Sequence, residues 1–237
     1  MKADRRANTP VAVLDDASFA YSGEAPVLRG ISLEWRPGER IGVTGPNGSG
    51  KTTLLEAIIG LLPRTGGVLR VFGAVPECDS DFLPIRRRIG MLFQDPDDQL
   101  FCTTVLEDVA FGPLNLGKTP DEARERAWAT LREVGLHSFA ERITYRLSFG
   151  EKRLVGLAGV LAMEPDALLL DEPTAGLDPE AEARVETLLA GLSQAMLITS
   201  HNHAMLHRLS DRMLTLEKGS LRPMEEEAPA VNPAGSA

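Results

Sequence analysis

The feature that most constrains this chain is a glycine-rich segment between a predicted strand and a predicted helix. It reads Gly45-Pro-Asn-Gly-Ser-Gly50-Lys51-Thr52, which is the spacing G-x-x-x-x-G-K-T. A predicted strand, Arg40 to Thr44, precedes it, and apolar residues at helical spacing follow Lys51 until Pro63 ends them. A strand that enters a helix through such a turn predicts a phosphate-binding loop, or P-loop.

The residue types of this loop suit a polyphosphate. Phosphate binding requires inward-facing amides, which favours the glycines at 45, 48 and 50, and Lys51 can reach the β and γ phosphates. Thr52 offers a hydroxyl to Mg²⁺. The alternative is an ordinary glycine turn that begins a helix. The predicted nucleotide contacts in the loop are Gly45, Asn47, Gly48, Ser49, Gly50, Lys51, Thr52 and Thr53.

A second candidate element is the apolar run Ala167 to Leu170, which ends in Asp171 and Glu172. Asp171 at a strand end is placed to hold Mg²⁺, directly or through water. Glu172 is placed to polarise an attacking water as general base. Alone, this pair would be a solvated turn. Together with the P-loop it favours a catalytic site.

The spacing of apolar residues in the rest of the chain predicts an α/β fold. Val11–Phe19 and Ile31–Val43 have strand patterns with turns at Ser22-Gly23 and Pro37-Gly38. Val105–Leu136 is predicted as a helical lobe, with an N-cap at Thr119. The strands Ala167–Leu170 and Ala195–Thr199 flank a helix capped by Asp178, which is the pattern of a βαβ unit.

Composition narrows the classes of function. The 237 residues allow one domain with lobes, and the net charge of −9 argues against a nucleic-acid partner. Cys78 and Cys102 lack the spacing of a zinc site or a disulfide framework. Apolar runs are too short to cross a bilayer, so any membrane contact is expected to be peripheral.

Together these motifs resemble the ATP-binding-cassette (ABC) ATPases over about Val11 to Leu221. The resemblance implies a P-loop NTPase (RecA-like) core with an antiparallel β subdomain and a small α-helical subdomain at about 95–163. It also implies that ATP and Mg²⁺ are bound and that ATP is hydrolysed. We expect an N-terminal arm at 1–10, an ABC ATPase domain at 11–222 and a disordered tail at 223–237, which is rich in Pro, Ala and Glu.

Four further residues match positions of this family. Tyr21 corresponds to an aromatic residue that stacks on adenine, although it could be a lone strand-end aromatic. Gln94 corresponds to a glutamine that reaches the metal and the water, and His201 to a switch histidine at the γ-phosphate. Asp178, in Ala175-Gly-Leu-Asp178, corresponds to a loop through which two subunits communicate.

Two alternatives concern single motifs. Leu147-Ser-Phe-Gly-Glu151 resembles the family signature, in which Ser148, Gly150 and Glu151 would contact ATP held by a partner subunit. Phe149 and Glu151 depart from the usual Gly and Gln, and Ser148 with Glu151 also forms a helix capping box. Separately, His201, His203 and His207 offer a weak metal-site pattern.

The family resemblance implies a partner and a mechanism. Two copies would bind head to tail around two ATP molecules, with each signature facing the P-loop of the other copy. Glu172 would act as base, while Lys51, Mg²⁺ and the partner's signature would balance the phosphoryl charge.

A narrower resemblance, over Gln94–Phe101 and Glu107–Asn115, is to the ATPases of energy-coupling-factor importers, particularly the cobalt and nickel branch. It implies a homodimer at the cytoplasmic face of the membrane, bound to integral membrane subunits whose helices lie beside Gln94 to Phe101. Leu100 and Phe101 suit such a contact, or they belong to the lobe core.

Four other functions are compatible with a cassette. A vitamin-specific energy-coupling-factor importer is the nearest alternative, followed by a conventional ABC importer. A soluble cassette acting on DNA or ribosomes would predict heptad insertions or two fused cassettes, and a non-hydrolysing scaffold would lack Glu172 or His201.

Overall fold

A computed structural model describes residues 9–224 of the chain. Its strands are β1 (Ala12–Phe19), β2 (Leu28–Trp35), β3 (Arg40–Thr44), β4 (Arg64–Val71), β5 (Ile89–Leu92), β6 (Ala167–Asp171), β7 (Ala195–Thr199), β8 (Arg212–Glu217) and β9 (Ser220–Pro223). Its α-helices are α1 (Lys51–Ile58), α2 (Asp79–Arg86), α3 (Val105–Asn115), α4 (Pro120–Glu133), α5 (Phe149–Ala162), α6 (Pro179–Gly191) and α7 (His203–Leu209).

A six-stranded sheet in the order β5-β6-β7-β3-β8-β9 forms the centre of the molecule. All neighbouring pairs are parallel except β8 and β9. Every residue of β6 and β7 is buried, which explains why both strands are short continuous apolar runs rather than alternating ones. Parallel strands end at one edge, so Thr44, Asp171 and Thr199 lie at the same edge of the sheet.

The antiparallel subdomain is a three-stranded sheet in the order β2-β1-β4. The predicted turn at Pro37-Gly38 divides the segment Ile31–Val43, and the two strands enter different sheets: β2 lies in this sheet and β3 in the central one. Gly38 has a φ of 74°, a left-handed conformation that glycine adopts without a steric penalty. The apolar residues of β1, β2 and β4 share a buried cluster with α1 and one face of the central sheet.

The helical lobe packs a second apolar cluster on the other face of the central sheet, with α3, α4 and α5 as its main elements. The predicted helical segment Val105–Leu136 contains α3 and α4, which are separated at Gly117, a residue with a φ of 94°. Thr119 caps α4 as predicted: its hydroxyl accepts a hydrogen bond from the amide of Glu122, and the Glu122 carboxylate accepts one from the amide of Thr119.

Several elements were not predicted, namely β4, α2, β5, β8 and β9. The predicted tail boundary is also two residues early, because Pro223 ends β9 and the amide of Met224 donates to the carbonyl of Met213 at 3.0 Å. The rest of the predicted tail, 225–237, and residues 1–8 of the predicted arm lie outside the described residues. Within residues 9–224, no helix has the length and apolarity needed to cross a bilayer.

Candidate nucleotide-binding and catalytic site

A cavity of about 570 Å³ lies at the edge where β3, β6 and β7 end. The P-loop, the acidic end of β6 and the segment after β7 meet there because parallel register places them side by side. The predicted residues that line it are Asn47, Gly48, Gly50, Lys51, Thr52, Thr53, Gln94, Asp171, Glu172 and His201. The structure therefore brings these ten predicted residues together around one cavity.

Lys51 is buried at the start of α1, and its ammonium group is held by the loop itself. Nζ donates to the carbonyl oxygens of Gly45 at 3.0 Å and Pro46 at 3.3 Å, and it lies 3.0 Å from Nε2 of His201. This contact joins the P-loop lysine directly to the segment that follows β7. Lys51 and His201 therefore lie side by side in the same cavity.

Asp171 is buried with two hydroxyl partners. Thr52 Oγ1 donates to one carboxylate oxygen at 2.6 Å, and Thr199 Oγ1 donates to the other at 2.6 Å. The first contact joins α1 to the end of β6, and the second follows from the pairing of Asp171 with Thr199 in the sheet. A carboxylate beside a hydroxyl supplies the oxygen ligands that Mg²⁺ prefers, so these residues fit that ion.

Glu172 is also buried, and it has a φ of 47°, which is uncommon for a residue with a side chain. Its Oε2 accepts from Ser200 Oγ at 3.1 Å and from the amide of His201 at 3.3 Å. Its Oε1 lies 3.4 Å from Nε2 of His201 but has no hydrogen-bond partner among the described residues. A buried oxygen without a partner is a position where a bound water or ligand is expected.

A second cavity of about 420 Å³ adjoins the first through Thr52, Gln94 and Asp171. Glu56 also lines it, and burial raises the pKa of this carboxyl group, while a hydrogen bond from Tyr21 acts in the opposite direction. The Tyr21 hydroxyl lies 3.3 Å from both Thr53 Oγ1 and Glu56 Oε2. Tyr21 therefore lies beside the P-loop helix but does not line the larger cavity.

The signature residues lie at the start of α5. Ser148 caps α5: its hydroxyl accepts from the amide of Glu151 at 3.3 Å, and the Glu151 carboxylate accepts from the amide of Ser148 at 2.8 Å. This second bond, with contributions from Arg142, lowers the pKa of Glu151. Ser148, Gly150 and Glu151 do not line the cavity of Lys51 in the same chain.

Phe149 replaces a family glycine without backbone strain. It is the first residue of α5 and does not have a positive φ, so this position does not require glycine. Its ring lies against Gly176, where an added Cβ would come within 3.2 Å of Cε1 of the ring. Asp178, two residues later, is outside the cavity and caps α6 by accepting from the amides of Glu180 and Ala181.

Sequence reasoning missed Thr199 and Ser200 as parts of the site. Thr199 and Ser200 directly precede His201, so a polar pair at the end of an apolar strand was the available signal. The metal alternative for the three histidines is wrong. Among residues 9–224 no three or more His, Cys, Asp or Glu side chains are grouped as metal ligands, and His203 instead contacts the hydroxyl of Thr44 at 2.9 Å.

The fold and the site define a P-loop nucleoside triphosphatase. The ABC transporter family matches residues 28–175, and the chain belongs to this family. It is 51% identical over 211 residues, or 89% of this chain and 77% of the relative, to an ABC transporter ATP-binding protein of Nitratidesulfovibrio vulgaris. It is 42% identical over 212 residues to the energy-coupling factor transporter ATP-binding protein EcfA of Methanothermobacter thermautotrophicus, covering 88% of this chain and 68% of EcfA.

Solved structures confirm the fold class. The structure of cbiO1 from Clostridium perfringens, part of the ABC transporter complex cbiONQ, matches with a TM-score of 0.81 and 33% identity, covering 90% of this chain and 87% of cbiO1. The dimeric ATP-binding cassette MJ0796 in a post-hydrolysis state with ADP and phosphate matches with a TM-score of 0.81 and 26% identity, covering 90% and 99%. The chain is an ABC ATPase that binds ATP, and the predicted resemblance to energy-coupling-factor ATPases is confirmed.

Proposed function

We propose that the protein hydrolyses ATP in the cavity beside Lys51, with Glu172 as the general base. The observation that carries this proposal is the buried Oε1 of Glu172, which has no hydrogen-bond partner among the described residues; Glu172 lines the same cavity as Asp171 and Thr52. The other oxygen of Glu172 is held by Ser200 and the His201 amide, so the carboxylate is oriented before any ligand binds. An oriented, buried carboxylate is suited to accept a proton from water.

The other site residues have complementary roles in this proposal. Lys51 exchanges its contacts with Gly45, Pro46 and His201 for the β and γ phosphates. His201 then becomes free to contact the γ-phosphate. Thr52, Asp171 and Gln94 would hold Mg²⁺, which supplies charge neutralisation to the transferred phosphoryl group. Tyr21, which lies beside Thr53, would stack on the adenine ring of ATP.

The proposal includes a second copy of the chain. Ser148 and Gly150 lie at the start of α5 and do not line the cavity of their own chain, so in a head-to-tail dimer they would face ATP bound to the partner copy. The start of a helix is itself a favourable position for a phosphate. The dimeric arrangement of MJ0796 supports this assembly.

The test of the catalytic assignment is the Glu172→Gln variant. Glutamine has the shape of glutamate but cannot act as the base, so Mg²⁺-dependent ATP hydrolysis should fall by about a hundredfold or more. ATP binding and the fold should be retained. We expect size-exclusion measurements of mass with ATP to show a dimer that accumulates because it no longer hydrolyses its ligand. Glu180→Gln, at the exposed start of α6, is the matched control. Hydrolysis by Glu172→Gln at the rate of the control would contradict the assignment.

We also propose that this ATPase powers an energy-coupling-factor importer, of cobalt or nickel ions, from the cytoplasmic face of the membrane. EcfA and cbiO1 support the transporter type, and the metal cargo rests on the likeness over Gln94–Phe101. An exposed apolar surface suits a helix of a membrane subunit: Phe101 is 64% exposed, its ring centroid is 4.6 Å from that of Phe111, and Leu114 is 40% exposed. Leu100 packs against the lobe core instead.

The transported cargo is identified by measuring uptake in cells. In cells that lack the gene, accumulation of cobalt or nickel, measured by elemental mass spectrometry, should fall and should return with the unaltered chain but not with Glu172→Gln. Normal metal accumulation together with a loss of labelled vitamin uptake would replace the metal importer with the vitamin importer. ATP hydrolysis by the purified chain is measured separately, so either result leaves the catalytic assignment intact.

A further inference from the structure

Arg153 is a fully buried arginine in the second turn of α5, one turn after the signature. Its guanidinium group points at the loop that follows β5. Nη1 donates to the carbonyl oxygen of Phe93 at 2.5 Å, and Nη2 donates to that of Gln94 at 2.6 Å. The two donors therefore hold the two peptide groups on either side of the Gln94 Cα position.

A buried guanidinium is costly, which argues against a purely structural residue. Burial lowers the pKa of Arg153, partly offset by the charges of Asp171, Asp95 and Glu172. Its partners are neutral carbonyls, and its Nε has no hydrogen-bond partner among the described residues. An apolar side chain would fill the same helix face at lower cost, because a charge must be removed from water here.

Two other contacts attach the same loop to α5. Lys152 Nζ pairs with Asp97 at 2.5 Å, and the side-chain amide of Gln99 donates to the carbonyl of Gly156 at 3.3 Å. The other end of the Gln99 side chain accepts from the amide of Phe93 at 3.2 Å. The segment 93–99 is thus attached to α5 at several points, and Arg153 is the attachment nearest to Gln94.

We infer that Arg153 is a positioning residue that fixes the backbone of Gln94 to α5 and thereby holds the Gln94 side chain in the catalytic cavity. This inference rests on the proposed role of Gln94 at the metal and the water. Two hydrogen bonds to successive carbonyls fix the peptide orientation, and this in turn directs the Gln94 side chain toward Thr52 and Asp171, with which it lines both cavities.

The experiment uses the full chain and combines kinetics with hydrogen exchange. Arg153→Gln should lower kcat about tenfold, which corresponds to one lost interaction, with KM for ATP changed less than twofold. Amide exchange in residues 93–99, measured by mass spectrometry, should accelerate. Arg153→Lys, which retains one donor, should recover part of both effects. The matched control is Arg126→Gln, since Arg126 also donates to backbone carbonyls of α5, at Leu161 and Ala162, but far from Gln94.

A double variant separates positioning from general stability. If Arg153 acts through Gln94, adding Arg153→Gln to Gln94→Ala should change kcat less than twofold further. Losses that multiply in the double variant, or an equal kcat loss in Arg126→Gln, would overturn the inference. Amide hydrogen exchange in residues 93–99 that is unchanged in Arg153→Gln would also overturn the inference. This measurement does not require ATP hydrolysis, so an unaltered chain that hydrolysed no ATP would contradict the catalytic proposal separately. If Arg153→Gln does not fold, Arg153→Lys provides the same comparison.

Discussion

Two glycines of the P-loop, Gly45 and Gly48, are required for different physical reasons. A Cβ at Gly45 would overlap the backbone carbonyl oxygen of Leu216 in β8, which cannot move without disturbing the central sheet. A Cβ at Gly48 would meet nothing within 4 Å, and only its φ of 73° disfavours other residues. The motif contains both glycines, yet packing constrains one and backbone conformation alone constrains the other.

This difference predicts unequal effects of the same substitution. Gly48→Ala should lower the free energy of unfolding by about 1 kcal/mol, the cost of a left-handed conformation for a residue with a Cβ. Gly45→Ala should cost more than twice as much, because backbone displacement is added to strain. Urea unfolding without nucleotide measures both, and equal losses would show that the contact with Leu216 is not a constraint.

At the scale of elements, three capping boxes start the helices of the lobe, at Thr104, Thr119 and Ser148. Each satisfies the first amides of its helix by the same reciprocal bonds. Only the box at Ser148 coincides with the signature motif. Both interpretations of Ser148, as a cap and as a phosphate contact, are therefore compatible with the same geometry.

Matched alanine variants separate these two roles. Ser148→Ala and Thr119→Ala should each lower the free energy of unfolding by about 1 kcal/mol, because each loses one cap. Only Ser148→Ala should also reduce ATP hydrolysis, since α4 lies away from the proposed dimer contact. Steady-state ATPase assays at saturating ATP decide the matter. Similar activities for the two variants would restrict Ser148 to capping.

At the scale of the whole molecule, the central sheet separates two apolar clusters that carry different parts of the site. The P-loop helix α1 belongs with the antiparallel sheet, whereas α5 and the exposed Phe101 belong to the helical lobe. The loop around Gln94 connects the two sides through β5. A membrane subunit bound at the lobe could thus influence the cavity without touching the P-loop.

This arrangement predicts that import and hydrolysis can be separated. Phe101→Asp should change ATP hydrolysis by the purified chain less than twofold and its melting temperature little, since the ring is 64% exposed. In cells it should abolish import, because a carboxylate in an apolar contact must be desolvated. Leu61→Asp, an exposed apolar position outside the lobe, is the control. Normal import with Phe101→Asp would place the membrane contact elsewhere.

The sequence by itself determined the local elements that depend on neighbouring residues. The P-loop between β3 and α1, the caps at Thr119, Ser148 and Asp178, and the strands β6 and β7 follow from periodicity and turn chemistry within a few residues. The acidic pair at the end of β6 could likewise be recognised in the sequence, since a polar pair after an apolar run is a local signal.

Only the tertiary structure decided which strand ends meet and what each side chain contacts. The bond from Thr52 to Asp171 joins residues 119 positions apart, and that from Thr199 to Asp171 depends on the register of β6 with β7. The division of Ile31–Val43 between two sheets and the burial of Arg153 against the Gln94 loop also have no local signature. Long-range pairing and burial select among locally equivalent conformations, and these were the parts that sequence patterns left open.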